Sequence, residues 1–286
     1  MMPELTGRRR IPWTALPPGI RSAVERRLGT RVTAAADRPG GFSPGVAATL
    51  HLATGRAVFV KVTRSDPEAG FHRREIAINR RLPPAAPVPR LLDAYDDGTW
   101  VALVFEHVDG ALPAQPWHPA DLTRALTAAT AAAEALTPSP IPAAEASRPR
   151  LTGGPFTGDT LLHGDLYPFN ILLTPDEVRL VDWPHAWVGP PYGDVLTLLS
   201  TAPLSGLNPE PLLAANPLTR GVAAEEIDAY LAAQAGYLLR LAATAAPSTD
   251  PALRTMAATL GRSALRWLRV RSGGQQPFVR SGGQRP

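Results

Sequence analysis

Two hydrophobic rhythms divide the chain. From Arg31 to His107 the apolar residues come in short, partly alternating runs, the period of strands. Val46 to Leu52 and Arg56 to Val62 flank Ala53-Thr54-Gly55, which predicts a hairpin. Leu91 to Tyr95 and Trp100 to Phe105 flank Asp96-Asp97-Gly98-Thr99 and predict a second. Between them Pro67 to Leu82 reads as a helix that Pro83-Pro84 stops. After Gly110 the spacing turns helical and alanine-rich over Pro119 to Leu136, Ala223 to Ala246 and Pro251 to Val270. A proline-rich loop, Pro138 to Pro155, follows the first of these helices. Leu161-Leu162 then leads into a loop, and Ile171 to Leu173 and Val178 to Val181 form a small hairpin before helix resumes near Asp194. A sheet-rich front and a helix-rich back imply two lobes with a cleft between them.

Composition narrows the class. The 286 residues, 44% of them hydrophobic, suffice for a real core. Cysteine is absent, which excludes disulfides, thiolate zinc sites and a cysteine nucleophile and makes the cytoplasm the expected compartment. The first twenty residues carry Arg8, Arg9 and Arg10 and then Pro12, Pro17 and Pro18, so no secretory signal is expected; no apolar run is long enough to span a membrane. The pI is near 9.9, yet the arginines are scattered and form no basic stripe with stacking aromatics, so a nucleic-acid partner is not expected. Among 29 basic residues Lys61 is the one lysine. A compact ammonium kept where arginine is otherwise used marks a candidate phosphate contact.

The densest chemistry is His163-Gly164-Asp165-Leu166-Tyr167-Pro168-Phe169-Asn170, followed by an apolar strand and Val181-Asp182-Trp183. Two carboxylates and an amide at this spacing suit phosphoryl transfer: one carboxylate orients a hydroxyl, while the other and the amide hold Mg²⁺ against phosphates. Upstream, Gly40-Gly41-Phe42-Ser43-Pro44-Gly45 precedes a strand and can bring backbone close to phosphate, or is an ordinary turn. Phe59-Val60-Lys61-Val62 puts Lys61 on a strand, either in the cleft or on a solvent-facing edge. Phe71, Glu75, Ile78 and Leu82 share one helical stripe, so Glu75 needs a partner, which Lys61, Arg73, Arg74 or Arg80 can supply.

These motifs resemble the aminoglycoside phosphotransferase and choline kinase family, whose loop reads HGDxxxxN and whose metal motif is Asp-Trp or Asp-Phe; the likeness runs from about Arg31 to Leu199. The resemblance implies an α+β, bilobal protein-kinase-like fold, with an antiparallel sheet and one helix in the N-lobe and a mainly helical C-lobe. It implies lobes at residues 1–105 and 111–270 and a hinge at 106–110; low hydrophobicity and paired glycines at 271–286, where Arg-Ser-Gly-Gly-Gln recurs, predict a flexible tail. By the same resemblance Asp165 is the catalytic base, Asn170 and Asp182 are the Mg²⁺ ligands, and Lys61, paired with Glu75, meets the α- and β-phosphates. Gly41, Phe42 and Ser43 cover those phosphates, and Glu106, His107 and Val108 read the base of ATP or GTP. His163 supports the loop, and Asp194 braces it or caps a helix.

The expected reaction passes the γ-phosphate of ATP or GTP to a hydroxyl of a small molecule, an antibiotic or a metabolite. The alternatives are a nucleotide-binding regulatory module without turnover, or a kinase acting on a protein or a larger metabolite; the lack of an activation segment between Asp182 and Asp194 weighs against the latter. Trp117, Trp183, Trp187 and Tyr192 are candidates either for an acceptor wall or for core. Acidic residues after Gly110 do not cluster, so no pocket for a polycation is expected.

Overall fold

The computed structural model describes residues 10–38, 45–64, 68–154, 156–244 and 250–273. Its front is an antiparallel sheet of β1 (Val32–Asp37), β2 (Val46–Leu52), β3 (Ala57–Thr63), β4 (Leu91–Asp96) and β5 (Val101–Glu106), in the spatial order β1-β2-β3-β5-β4. Strand alternation assigns the two faces. Val58, Val60 and Val62 of β3, with Ala102 and Val104 of β5, meet Trp13, Leu16, Ile20 and Val24 from a 3₁₀ turn (Trp13–Ala15) and α1 (Pro18–Leu28). Phe59 of β3 and Val101, Leu103 and Phe105 of β5 meet Ala69 and Ile76 of α2 (Glu68–Asn79) on the opposite face. Lys61 shares the parity of Phe59 and therefore faces α2.

The back is built on α3 (Pro119–Ala135), α4 (Gly193–Leu199), α5 (Glu210–Ala215), α6 (Ala224–Thr244) and α7 (Pro251–Arg271). Pro119 and Pro251 occupy first-turn positions, where the missing N–H costs nothing, and the His118 and Asp250 side chains accept from Ala120 N and Ala252 N. Two short ribbons lie among the helices: β6 (Thr160–Leu162) pairs with β9 (Trp187–Gly189), and β7 (Ile171–Leu173) pairs with β8 (Val178–Leu180). Leu122 of α3, Leu166, Ile171, Leu180, Trp183 and Leu196 of α4 converge in the core beneath them. After β5 the chain drops onto β7, where Ala111 and Leu173 exchange backbone hydrogen bonds of 3.0 and 2.8 Å.

This is the bilobal arrangement expected from the two rhythms, with differences. Helix α1 covers a face for which the sequence reading supplied nothing. Residue Phe71 lies on the exposed side of α2, edge-on to the His185 ring at 5.2 Å, and not in a buried stripe with Glu75. The tail boundary shifts as well: Arg271 ends α7, with its guanidinium bonded to Glu210 and Asp228, and residues 274–286 lie outside the described residues. No helix among the described residues is long and apolar enough to cross a membrane.

Candidate active site

Strand β3 carries Lys61 beneath α2, and its ammonium donates to Glu75 Oε1 at 2.8 Å and to Asp182 Oδ1 at 3.0 Å. Of the partners the sequence allowed for Glu75, Lys61 is the one in contact, and the strand is internal to the sheet, not an edge. The two bonds differ in setting: the Glu75 side chain is 2% exposed and that of Asp182 46%. Burial lifts the Glu75 carboxyl above its ordinary value although Lys61 and the Trp183 backbone N–H pull the other way. Burial works against the Lys61 charge, but Asp182 and Glu75 outweigh it and hold the ammonium above its usual range. Burial likewise opposes the Asp182 charge, and Lys61 overcomes it, keeping Asp182 ionised.

Asp182 follows β8 with φ +72°, the sole non-glycine residue in the left-handed region among the described residues. Strain of this kind costs about 1–3 kcal/mol and persists where surroundings enforce it. The clamps are visible here: Val181 N–H bonds to the Asn170 carbonyl at 2.9 Å, and His163 Nε2 lies 2.8 Å from the Val181 carbonyl. Because Asp165 N–H donates to His163 Nδ1 at 3.3 Å, that nitrogen is the acceptor and Nε2 carries the proton. Burial pushes His163 down to about 4, so a neutral imidazole ties the loop to the strand and carries no charge at neutral pH.

The loop itself is folded around glycine. Gly164 has φ +75°, and a Cβ there would stand 2.5 Å from the His185 carbonyl oxygen and 2.7 Å from Trp187 Cδ1. Nothing larger fits. The Asp194 carboxylate accepts from His163 N at 2.6 Å and Gly164 N at 3.1 Å. Tyr192 occupies the cap position of α4, so of the two roles read for Asp194 the helix cap is not the one its side chain performs. Asp165 is next: Asn170 Nδ2 donates to its backbone carbonyl at 2.8 Å, and Arg150 Nη1 lies 3.2 Å from its Oδ1. Burial raises Asp165 to about 6, with repulsion from Asp182 adding to the effect and Arg150 opposing it.

A metal would find a hard oxygen set in Asn170 and Asp182. The Asn170 amide nitrogen is turned to Asp165, which leaves its oxygen as the free donor, and Asp182 is half open to solvent. No group of three His, Asp or Glu side chains suited to a metal occurs among the described residues. Two protein ligands with the remainder from phosphate and water is the usual provision for Mg²⁺.

Other predicted residues are placed as follows. Gly41, Phe42 and Ser43 lie outside the described residues. Gly45, just after them, has φ +109°, and a Cβ would stand 2.2 Å from the Val62 carbonyl oxygen. Glu106 ends β5, paired with Arg90 at 2.9 Å, and half-buried His107 and Val108 follow on the way to the back lobe. Of the aromatic candidates Trp117 and Trp183 are core, Tyr192 bonds Glu226, and Trp187 lines a cavity beside Asp165. Sequence reasoning missed Arg150 and Gln234, which share that cavity. Gln234 did leave a signal, a polar residue breaking an apolar helical run.

Comparison of folds places this architecture among known ones. A thermostable mutant of aminoglycoside phosphotransferase APH(4)-Ia, in ternary complex with AMP-PNP and hygromycin B, superposes with a TM-score of 0.58 at 14% identity, covering 91% of this chain and 100% of its own. The fold is the bilobal protein-kinase-like one. Macrolide 2'-phosphotransferase MphH from Brachybacterium faecium matches with a TM-score of 0.52 at 16% identity, covering 85% of this chain and 98% of its own. A macrolide 2'-phosphotransferase of type I gives 0.50 at 18%, covering 85% and 97%. No family model matches the sequence, and no curated protein matches it.

Proposed function

We propose that this protein is a phosphotransferase that moves the γ-phosphoryl group of ATP or GTP to a hydroxyl of a small molecule. The observation that carries the reading is one ion-pair chain, Glu75–Lys61–Asp182, reaching from the sheet to the strand end beside the Asp165–Asn170 loop. Three charged side chains from distant parts of the sequence would not be drawn together at desolvation cost for packing alone. The fold shared with known phosphotransferases supports it.

In this reading Asn170 and Asp182 would hold Mg²⁺, which would supply positive charge to neutralise the phosphates. Lys61, fixed by Glu75, contacts the phosphates as a point charge. Asp165 orients the acceptor hydroxyl and takes its proton. As the acceptor oxygen bonds to the γ-phosphorus, the bond from that phosphorus to the β,γ-bridging oxygen breaks, and the nucleoside diphosphate leaves with the electron pair. His163 and Asp194 hold the loop by hydrogen bonds alone.

The test is thermal stabilisation by ATP and GTP with and without Mg²⁺, followed by nucleoside diphosphate release. Mg²⁺-dependent stabilisation with slow hydrolysis is expected, and Asp165→Ala should lower turnover by about 10²- to 10⁴-fold while nucleotide still stabilises the fold. Stabilisation without any hydrolysis would instead make the protein a binding module.

A further inference from the structure

A cavity of about 20 Å³ lies against Asp165, enclosed by Arg150, Tyr167, Trp187, Gln234 and Tyr237 among others. That is room for one water. Gln234 of α6 is 2% exposed; its Nε2 donates to Tyr167 Oη at 3.2 Å, and its Oε1 has no hydrogen-bond partner. Buried acceptors are nearly always satisfied, so Oε1 on this wall calls for a donor within the cavity, a water or a ligand hydroxyl that takes its place. The charges are balanced as well: Asp165 and Arg150 are the two ionised side chains on the lining, and they face each other at 3.2 Å.

We propose that this cavity is the inner end of the acceptor site, and that Gln234 Oε1 selects an uncharged, polyhydroxylated ring, a sugar with one hydroxyl on Asp165 and a neighbouring hydroxyl donated to Gln234. The inference rests on the phosphotransfer reading above and adds the acceptor class. A cationic acceptor finds no spare carboxylate here, because Asp165 is the one acid on the lining and its charge is committed to the reacting hydroxyl. Trp187 and Tyr237 contribute aromatic carbon to the lining, while Asp165 and Gln234 contribute its polar groups. Arg150 closes the mouth. It sits on the irregular connection between α3 and β6, its guanidinium lies 5.7 Å from the Tyr237 ring centre, and a ring larger than one water enters as Arg150 leaves Asp165.

The experiment uses the full chain with Mg²⁺-ATP or Mg²⁺-GTP. The probes are methyl α-D-glucopyranoside, methyl α-D-galactopyranoside and methyl β-D-ribofuranoside, each beside its 2-amino-2-deoxy and 2-deoxy counterparts. Phosphorylated product is read by mass spectrometry and kcat/KM by nucleoside diphosphate release. At least one neutral glycoside should be a substrate, preferred about 10-fold or more over its amino counterpart. Loss of the neighbouring hydroxyl should cost about 10- to 100-fold in the parent protein and little in Gln234→Leu, since the orphaned acceptor is then gone. Gln234→Glu, closer in shape, should keep the deoxy penalty and improve the amino sugar. Better turnover of amino sugars by the parent, an equal deoxy penalty in Gln234→Leu, or no phosphorylated glycoside despite acceptor-free hydrolysis each overturns the proposal. Absence of hydrolysis with any acceptor or none defeats the phosphotransfer reading itself, and this inference with it.

Discussion

Replacing Lys61 by methionine isolates the electrostatics of the cleft. The substitution keeps an unbranched stem near the Phe105 ring and deletes the ammonium that Glu75 and Asp182 share. Asp182 loses its main counter-charge too, but with its side chain 46% exposed water can still solvate the carboxylate. Glu75 cannot be rehydrated at 2% exposure. An uncompensated charge there costs about 3–5 kcal/mol. Protonation is the escape, at about 1.4 kcal/mol per pH unit above the ordinary carboxyl value. That value is 4.5 for Glu75, so taking up a proton at pH 7 costs about 3 kcal/mol, the cheaper of the two routes. At pH 5 the same route costs about 1 kcal/mol.

The sign follows. In the variant the native Glu75 carboxyl titrates above its unfolded value, so the native state holds an extra proton in that window and stability falls as pH rises through it. Lys61→Met should therefore be destabilised by about 3 kcal/mol at pH 7 and by about 1 kcal/mol at pH 5, in urea unfolding followed by tryptophan fluorescence. Lys61→Met/Glu75→Leu should recover most of the loss, since removing both partners removes the stranded group. An equal deficit at the two pH values, or a double variant no better than the single, would show that Glu75 does not depend on Lys61 and would refute the argument.

Two other outcomes follow from the loop. Gly164→Ala forces an L-residue to φ +75° and drives its Cβ to 2.5 Å from the His185 carbonyl, so thermal unfolding should show a loss of at least about 1–3 kcal/mol, with turnover falling alongside. Asp165→Asn, by contrast, should stabilise the metal-free protein. Its carboxyl is raised to about 6 by burial, so ionising it weakens the native state as pH climbs from 3.8; the variant should gain about 1–3 kcal/mol at pH 7 and almost nothing at pH 4. A gain that persists at pH 4 would assign it to packing.

What the sequence made legible was local. Both front hairpins, α2, α3, α6 and the loop motif carried their own turn residues, periods or spacing, and the elements formed where those signals lay. Helix α1 was missed although Leu16, Ile20 and Val24 recur at helical spacing, and the nearly unbroken apolar runs of β2, β3 and β5 already required cover on both sheet faces. Strand β9 and helix α5 are three and six residues long, too short for a period to register. The Lys61–Glu75 contact was readable because a charge inside a helical stripe demands a partner. The Arg150–Asp165 contact was not, since nothing in a proline-rich connection says which arginine folds back on the loop.

Lys61 caps both Glu75 and Asp182, Arg150 caps Asp165, and exposure decides which cap is released. Lys61 bonds a carboxylate that is 2% exposed and another that is 46% exposed. Breaking the first strands a buried charge, whereas breaking the second returns a charge to water, where a surface pair is worth about 0–1 kcal/mol. An incoming anion therefore draws Lys61 from Asp182 and leaves it on Glu75, which frees Asp182 and keeps the ammonium aimed. Arg150 obeys the same logic at Asp165: with side chains 29% and 25% exposed, that pair lies between the two extremes. Under the proposed function the lysine stays as the phosphates arrive, and the arginine leaves as the acceptor enters.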